Sequence, residues 1–262
     1  MFREVLAMRR KLLGEEHPHI ANALNNLAIV QRRQGQHSEA EALYREALAL
    51  YRKLLGEEHP RVAASLNNLA VVLAVQGRYA EAETMFREVL ALQRKLLGEE
   101  HPRVAVSLDN LALILNEQGQ YAKAEAVHRE ALALRKKLLG EEHPDVAASI
   151  NNLARVLSNQ GQYAEAERMF REALAMHRKL LGEEHPDVAV TLRELGALRI
   201  DQGAYAEAET MLQTSFETLK QALGLDHSDT QEVVDSFIAL YTAWGKPDQA
   251  ARYEAMRTEQ AP

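Results

Sequence analysis

The chain has no cysteine among its 262 residues. That excludes disulfides, thiolate zinc sites and thiol catalysis, and makes a reducing, cytoplasmic setting the expected one. Aromatic residues make up 5%, with a single Trp and 13 Gly, a composition too poor in strand formers for a β-rich fold. No apolar run approaches the roughly 18 residues of a membrane helix. The opening MFREVLAMRRKLLG reads as an amphipathic helix rather than the apolar core of a signal peptide, so no membrane segment is expected. A basic surplus is also missing: 31 Lys and Arg stand against 38 Asp and Glu, a formal charge of −7, which argues against nucleic acid as a partner. Phosphate loops (GxxxxGK(S/T), GxGxxG), the zinc-protease HExxH and the GxSxG elbow are all absent, so the expectation is a protein that is not an enzyme and carries no cofactor and no metal.

What is abundant is repetition. LLGEEHP recurs at 12–18, 54–60, 96–102, 138–144 and 180–186, and an eroded ALGLDHS stands at 222–228, a period of 42 throughout. A second punctuation, at Gly35, Gly77, Gly119, Gly161, Gly203 and Gly245, divides each repeat into two segments. In the second repeat Val62, Leu66, Leu69, Ala70 and Leu73 form one stripe of a 3.6-residue helix. Pro60 suits its first turn and Gly77 the left-handed position past its end, giving limits near 60 and 76. The second segment, 79–97, turns Ala82, Phe86, Val89, Leu90 and Leu96 inward and stops at Gly98. Its outer face is charged, with Glu four residues before Arg at Glu41/Arg45, Glu83/Arg87, Glu125/Arg129 and Glu167/Arg171, pairs that support the helix by about 0.2–0.5 kcal/mol each. Small residues recur where two helices must approach, Ala28, Ala70, Ala112 and Ala154 against Ala40, Ala82, Ala124, Ala166 and Ala208. One such hairpin cannot bury both of its stripes, so neighbours must stack.

The recurrent Glu-Glu-His-Pro tempts a metal reading, because acids and His are ligands and proton carriers. Recurrence in every connector argues instead for something every connector needs, a turn or a helix start. The eroded copy keeps His227 and loses the acid pair, as that reading expects.

At Leu66, Asn68, Leu69, Ala70, Gly77, Tyr79, Ala82, Phe86 and Leu90 the repeat resembles the tetratricopeptide repeat (TPR). Its period of 42 and the LGxxHP connector are similar to the kinesin light chain subtype. The resemblance implies an all-α, right-handed superhelical solenoid of tandem helix-turn-helix repeats. Its parts are the second helix of a truncated repeat with its connector (1–17), five complete repeats (18–227), and a degenerate capping repeat and tail (228–262), where Ile238 and Pro247 replace the family's Ala and Tyr. The subtype's Tyr late in the first helix is missing, with Gln31, Leu73 and Leu115 in that region, so its cargo specificity is not carried over.

The resemblance further implies a concave face lined by first helices, on which a partner peptide lies. The expected peptide-binding residues are Asn25, Asn26, Asn67, Asn68, Asn110, Leu113, Asn151, Asn152, Arg155 and Arg193. An amide offers a peptide backbone both donor and acceptor; the same Asn side chains bonding within the fold is the alternative. Variable positions give a basic end at Arg32 and Arg33, an apolar middle at Val71, Val75, Val106 and Leu113 with acid at Asp109 and Glu117, and the guanidiniums of Arg155 and Arg193 as forks for a ligand carboxylate. The function expected is a protein-binding scaffold. Two alternatives stay open: a sensor array within a larger signalling ATPase or protease, and a structural array self-associating through the stripe of residues 1–13.

Overall fold

The computed structural model describes residues 2–258 and is helical wherever it forms regular structure. The chain divides within one helix into two units, residues 1–134 and 135–262. In the first unit lie α1 (Phe2–Leu13), α2 (Pro18–Arg33), α3 (His37–Leu55), α4 (Pro60–Val75), α5 (Tyr79–Leu97), α6 (Pro102–Glu117) and most of α7 (Tyr121–Leu139). The second holds the end of α7, then α8 (Pro144–Asn159), α9 (Tyr163–Leu181), α10 (Pro186–Asp201), α11 (Tyr205–Leu223), α12 (Ser228–Ala243) and α13 (Pro247–Thr258). Helices of 16 and 19 residues alternate from α2 to α11. Each 16-residue first helix and the 19-residue second helix after it form an antiparallel hairpin, and within each unit hairpins stack on their sequence neighbours. This is an all-α repeat solenoid of tandem helix-turn-helix units. Among the described residues no helix is long and apolar enough to cross a membrane.

The connector explains itself residue by residue. Gly56 takes φ +81°, a left-handed conformation that only glycine adopts cheaply, and stops α3. Glu57 reaches back to Arg52 at 2.7 Å, while Glu58 pairs with Lys95 of the next second helix. His59 is extended and its Nδ1 accepts the amide N–H of Arg61 at 3.1 Å, so it caps α4, and Pro60 fills the first helical position. Ser, Thr, Asp and Asn usually serve as caps because a side-chain oxygen meets an orphan N–H; here an imidazole nitrogen does the same. His17, His101, His143, His185 and His227 repeat the bond at 3.1–3.2 Å. The acids and His of the connectors are therefore used in pairing and capping, and among the described residues no three such side chains are grouped to hold a metal ion. His59→Ala should lower stability by about 1 kcal/mol in urea denaturation, whereas His59→Asn, which can cap, should lose less than half of that; equal losses would show that the cap bond contributes nothing.

Packing follows the small residues. Ala28, Ala70, Ala112, Ala40, Ala82 and Ala124 are wholly buried where helices of the first unit cross. Outside, the four expected i,i+4 pairs form, and Arg10–Glu46, Arg52–Glu88 and Arg94–Glu130 tie each second helix to the next. Exposed pairs of this kind contribute about 0–1 kcal/mol each.

In the second unit Arg199 of α10 grips both carboxylate oxygens of Glu167 on α9, at 3.0 and 2.7 Å, and holds that carboxyl below its ordinary range. The scarce aromatics gather at its end. Phe237 of α12 stacks on Tyr253 of α13 at 4.3 Å between centroids and meets Phe216 of α11 edge-on at 6.2 Å. Lys246 lies over the Trp244 ring at 3.1 Å.

Of the N-terminal stripe expected to mediate self-association, Met1 lies outside the described residues, as do the side chains of residues 2–5, 7 and 9. Leu6 is buried, and Met8 and Leu12 are exposed. Residues 259–262 of the expected tail also lie outside.

Candidate functional site

Each first helix buries one stripe in its hairpin and leaves another open at i, i+4, i+7 and i+11, side chains stacked along one helical face. In the first unit the open stripes are Asn22, Asn26, Ile29 and Arg33 on α2; Ala64, Asn68, Val71 and Val75 on α4; and Val106, Asn110, Leu113 and Glu117 on α6. Second helices turn charge outward, but here large apolar side chains meet solvent: Val75 is 58% exposed, Val106 51% and Leu113 38%.

The amides on this face bond to one another. Asn68 Nδ2 donates to Asn25 Oδ1 at 3.3 Å, and one repeat on, Asn110 Nδ2 donates to Asn67 Oδ1 at 3.2 Å. Each bond joins the first helices of successive hairpins and has a fold role. An amide carries two donors and a carbonyl with two lone pairs, so Asn68 keeps its own Oδ1 and a second N–H toward the open side. Asn26 is exposed. Asp109, expected as a free acid, instead meets the buried His128 at 3.1 Å.

Between α4 and α6, over the end of α5, lies a cleft of about 310 Å³. Asn67 and Asn68 line it with Ala64, Leu97, Val106 and Arg103. Gln93 of α5 also lines it, and its Oε1 is buried without a hydrogen-bond partner.

In the second unit the same register holds Ala148, Asn152, Arg155 and Asn159 on α8, and Val190, Glu194, Ala197 and Asp201 on α10, where Glu194 is buried. Asn151 is buried and its Oδ1 unpaired; Asn152 is half-buried. Arg155 and Arg193 do converge, but around the chain's own acids. Glu194, only 7% exposed, lies 2.9 Å from Arg193 and 3.9 Å from Arg155, and Arg193 also reaches Glu232 at 2.8 Å. Both forks are thus already engaged by carboxylates. The signal was present: Glu194 interrupts the series Asn26, Asn68, Asn110, Asn152. Nearby, burial holds the His177 imidazole below its ordinary pKa, and its Nδ1 meets Thr191 Oγ1 at 3.1 Å.

The alternating hairpins, the positive-φ glycines and the shared stripe fit one repeat type, and the Tetratricopeptide repeat family matches residues 1–53, 32–92, 61–137, 110–179 and 145–221. The chain belongs to that family. Among solved TPR-like structures it is similar to a Podosopora anserina putative kinesin light chain with nearly identical TPR-like repeats, at 31% identity and a TM-score of 0.64, over 79% of this chain and 99% of that one. BtubC (BKLC) from P. vanneervenii shares the fold at 22% identity and TM-score 0.59, over 87% and 91%. The apo form of RapI shares it at 14% and 0.71, over 99% and 69%. No curated protein matches the sequence. Membership of the TPR family and its solenoid fold support a general role in protein or peptide interaction, and these first-helix stripes are where such a role has material to work with.

Proposed function

We propose that this TPR chain is a non-catalytic scaffold, working in the cytoplasm, which binds an extended segment of a partner protein across the open stripes of its first helices. The observation that carries the reading is the exposure of Val75, Val106 and Leu113 beside Asn68 and Asn110, on helices that elsewhere bury their large apolar side chains. Apolar surface loses its contact with water when a ligand covers it, at about 25 cal/mol per Å², and the neighbouring amides satisfy the ligand's main chain. The helices are ordered before the ligand arrives, so little entropy is lost on their side.

A random-peptide display library tests this. The wild-type chain should enrich a family of related peptides, and Val75→Glu with Leu113→Glu should weaken a recovered peptide by about tenfold or more, near 1.4 kcal/mol, at unchanged helicity. Enrichment of nothing, or equal affinity in the double variant, would overturn the proposal.

A further inference from the structure

Six imidazoles start the first helices of this chain. His17, His59 and His101 in the first unit, and His143, His185 and His227 in the second, each accept at Nδ1 the amide N–H of the residue two positions on, at 3.1–3.2 Å. An acceptor nitrogen carries no hydrogen, so each capping ring is neutral and keeps its one proton at Nε2. The next proton that such a ring takes up goes to Nδ1. It abolishes the acceptor, frees a first-turn N–H that has no partner within the helix, and sets a positive charge at the positive end of the helix dipole. A hydroxyl or amide oxygen in the same place would cap alike in neutral and mildly acid water, whereas imidazoles ordinarily change charge between about pH 5 and 8.

The residue whose N–H is capped differs between the units. In the first it is His19, Arg61 and Arg103; in the second it is Asp145, Asp187 and Asp229. Each of those aspartates has a carboxylate oxygen 3.6–4.0 Å from the Nδ1 of its cap. In the second unit, then, a ring that takes up a proton exchanges its cap bond for an ion pair. In the first unit Arg61 and Arg103 place a second positive charge on the capped residue, and His19 stacks on His17 at 5.0 Å between centroids, two rings that repel once both are protonated. The connector acids do not make this difference. Around His17, Glu15 pairs with Arg10 of α1 and Glu16 with Lys53 of α3. Around His59, Glu57 pairs with Arg52 of α3 and Glu58 with Lys95 of α5. Beside His101 stand Glu100 and Glu99, the latter paired with Arg94 of α5. The second unit repeats the arrangement, with Glu141 on Lys136, Glu142 on Lys179 and Glu183 on Arg178.

We infer that the histidine caps of the first unit form an acid-sensitive device built into the solenoid: as pH falls, α2, α4 and α6 lose their caps, the charge that replaces each cap is repelled, and the hairpins they start loosen. In the second unit the neighbouring aspartates take over as the caps are lost. A cap bond and a proton compete for the same Nδ1, while the unfolded chain takes the proton without that loss, so stability falls as pH falls. The device goes beyond the scaffold reading and does not depend on it, since a chain that bound no partner would loosen in acid all the same.

Amide hydrogen exchange on the full chain tests this at about pH 7.5 and about pH 5.5, with protection corrected for the intrinsic effect of pH on exchange. Protection of α4 should fall by about tenfold or more in acid, because a cap is lost and an unfavourable charge is added. Two variants isolate the cause, and each puts a residue favourable to a helix start at its position. In His59→Asn/His101→Asn an amide oxygen caps at either pH, so the fall should shrink to less than about threefold. In Arg61→Asp/Arg103→Asp the rings remain and gain the neighbours they have in the second unit, and the fall should shrink likewise. His128 of α7, which meets Asp109 of α6, and the buried His177 of the second unit are unchanged in both variants, so a difference between variant and wild type on α4 belongs to the caps. Equal protection of α4 at the two pH values would overturn the inference. So would a His→Asn variant that loses as much protection as wild type, which would move the acid response away from the caps. An Arg→Asp variant that still loses as much would overturn the role given to the neighbouring charge.

Discussion

Truncating Phe237 to alanine should cost about 3–5 kcal/mol, the range for removing a buried phenylalanine, and the loss should fall first on α12 and α13. Phe237 is wholly buried, stacked on Tyr253 and Tyr241 and edge-on to Phe216. It therefore ties α13 to α12 and both to α11. In a repeat array each hairpin is held only by its neighbours, and α11 is the neighbour that Phe237 reaches. The cavity would leave this hairpin below the stability of the hairpins before it, so it should open as a separate step. Urea unfolding should change from one transition to two, and amides of α12 and α13 should exchange with solvent well before those of α10. A variant that unfolds in a single transition, less than about 1 kcal/mol below wild type, would mean that Phe237 does not hold this hairpin to α11.

The helices were legible because their signals are local. Pro60 and Gly77 bracket α4 to within a residue of the observed limits, Pro60–Val75, and stripe periodicity identified the faces that pack. The connector's helix-start role could be read from recurrence, but the cap atom could not. His is an uncommon cap, and nothing in EEHP distinguishes an Nδ1 aimed at an amide from one aimed at solvent. The site was legible in part. Val75, Val106 and Leu113 lie open as their spacing required. Asn68 and Asn110 lie on the open stripe of their helices, but their bonds to Asn25 and Asn67 join residues of different hairpins, and stacking geometry is needed to see them. The same holds for Arg155 and Arg193: sequence shows two guanidiniums, while packing shows Glu194 between them. Gln93 and Arg103, which line the cleft, went unnoticed because each becomes informative only against its counterparts in the other repeats. The comparison of Arg103 with Asp145 was available from the sequence alone.

Deleting residues 102–143 separates what the fold needs from what the ligand needs. The cut joins His101 to Pro144 and rebuilds the connector without changing a letter. Val146, Ala147, Ile150, Leu153, Ala154 and Leu157 then take the buried places of Val104, Ala105, Leu108, Leu111, Ala112 and Leu115, with Ile for Leu the single change, a swap usually costing less than about 1.5 kcal/mol. Asn152 arrives in the register of Asn110, so an amide again faces Asn67, and Ser149 replaces Ser107 opposite Gln93. A shortened array keeps its nearest-neighbour contacts and loses one repeat's share of stability. Mean residue ellipticity should stay unchanged and melting should remain cooperative at a somewhat lower temperature. Binding should behave differently. The deletion puts Asp145 in the place of Arg103, Ala148 in that of Val106 and Arg155 in that of Leu113, turning one side of the cleft mouth acidic and removing two apolar contacts. A peptide recovered on the full chain should lose affinity by about tenfold or more, since two lost apolar contacts amount to roughly 1.4 kcal/mol or more. Loss of helicity would show that the repeats are not interchangeable. A folded deletion variant that still held the recovered peptide would show that recognition lies in the hairpins the cut leaves untouched.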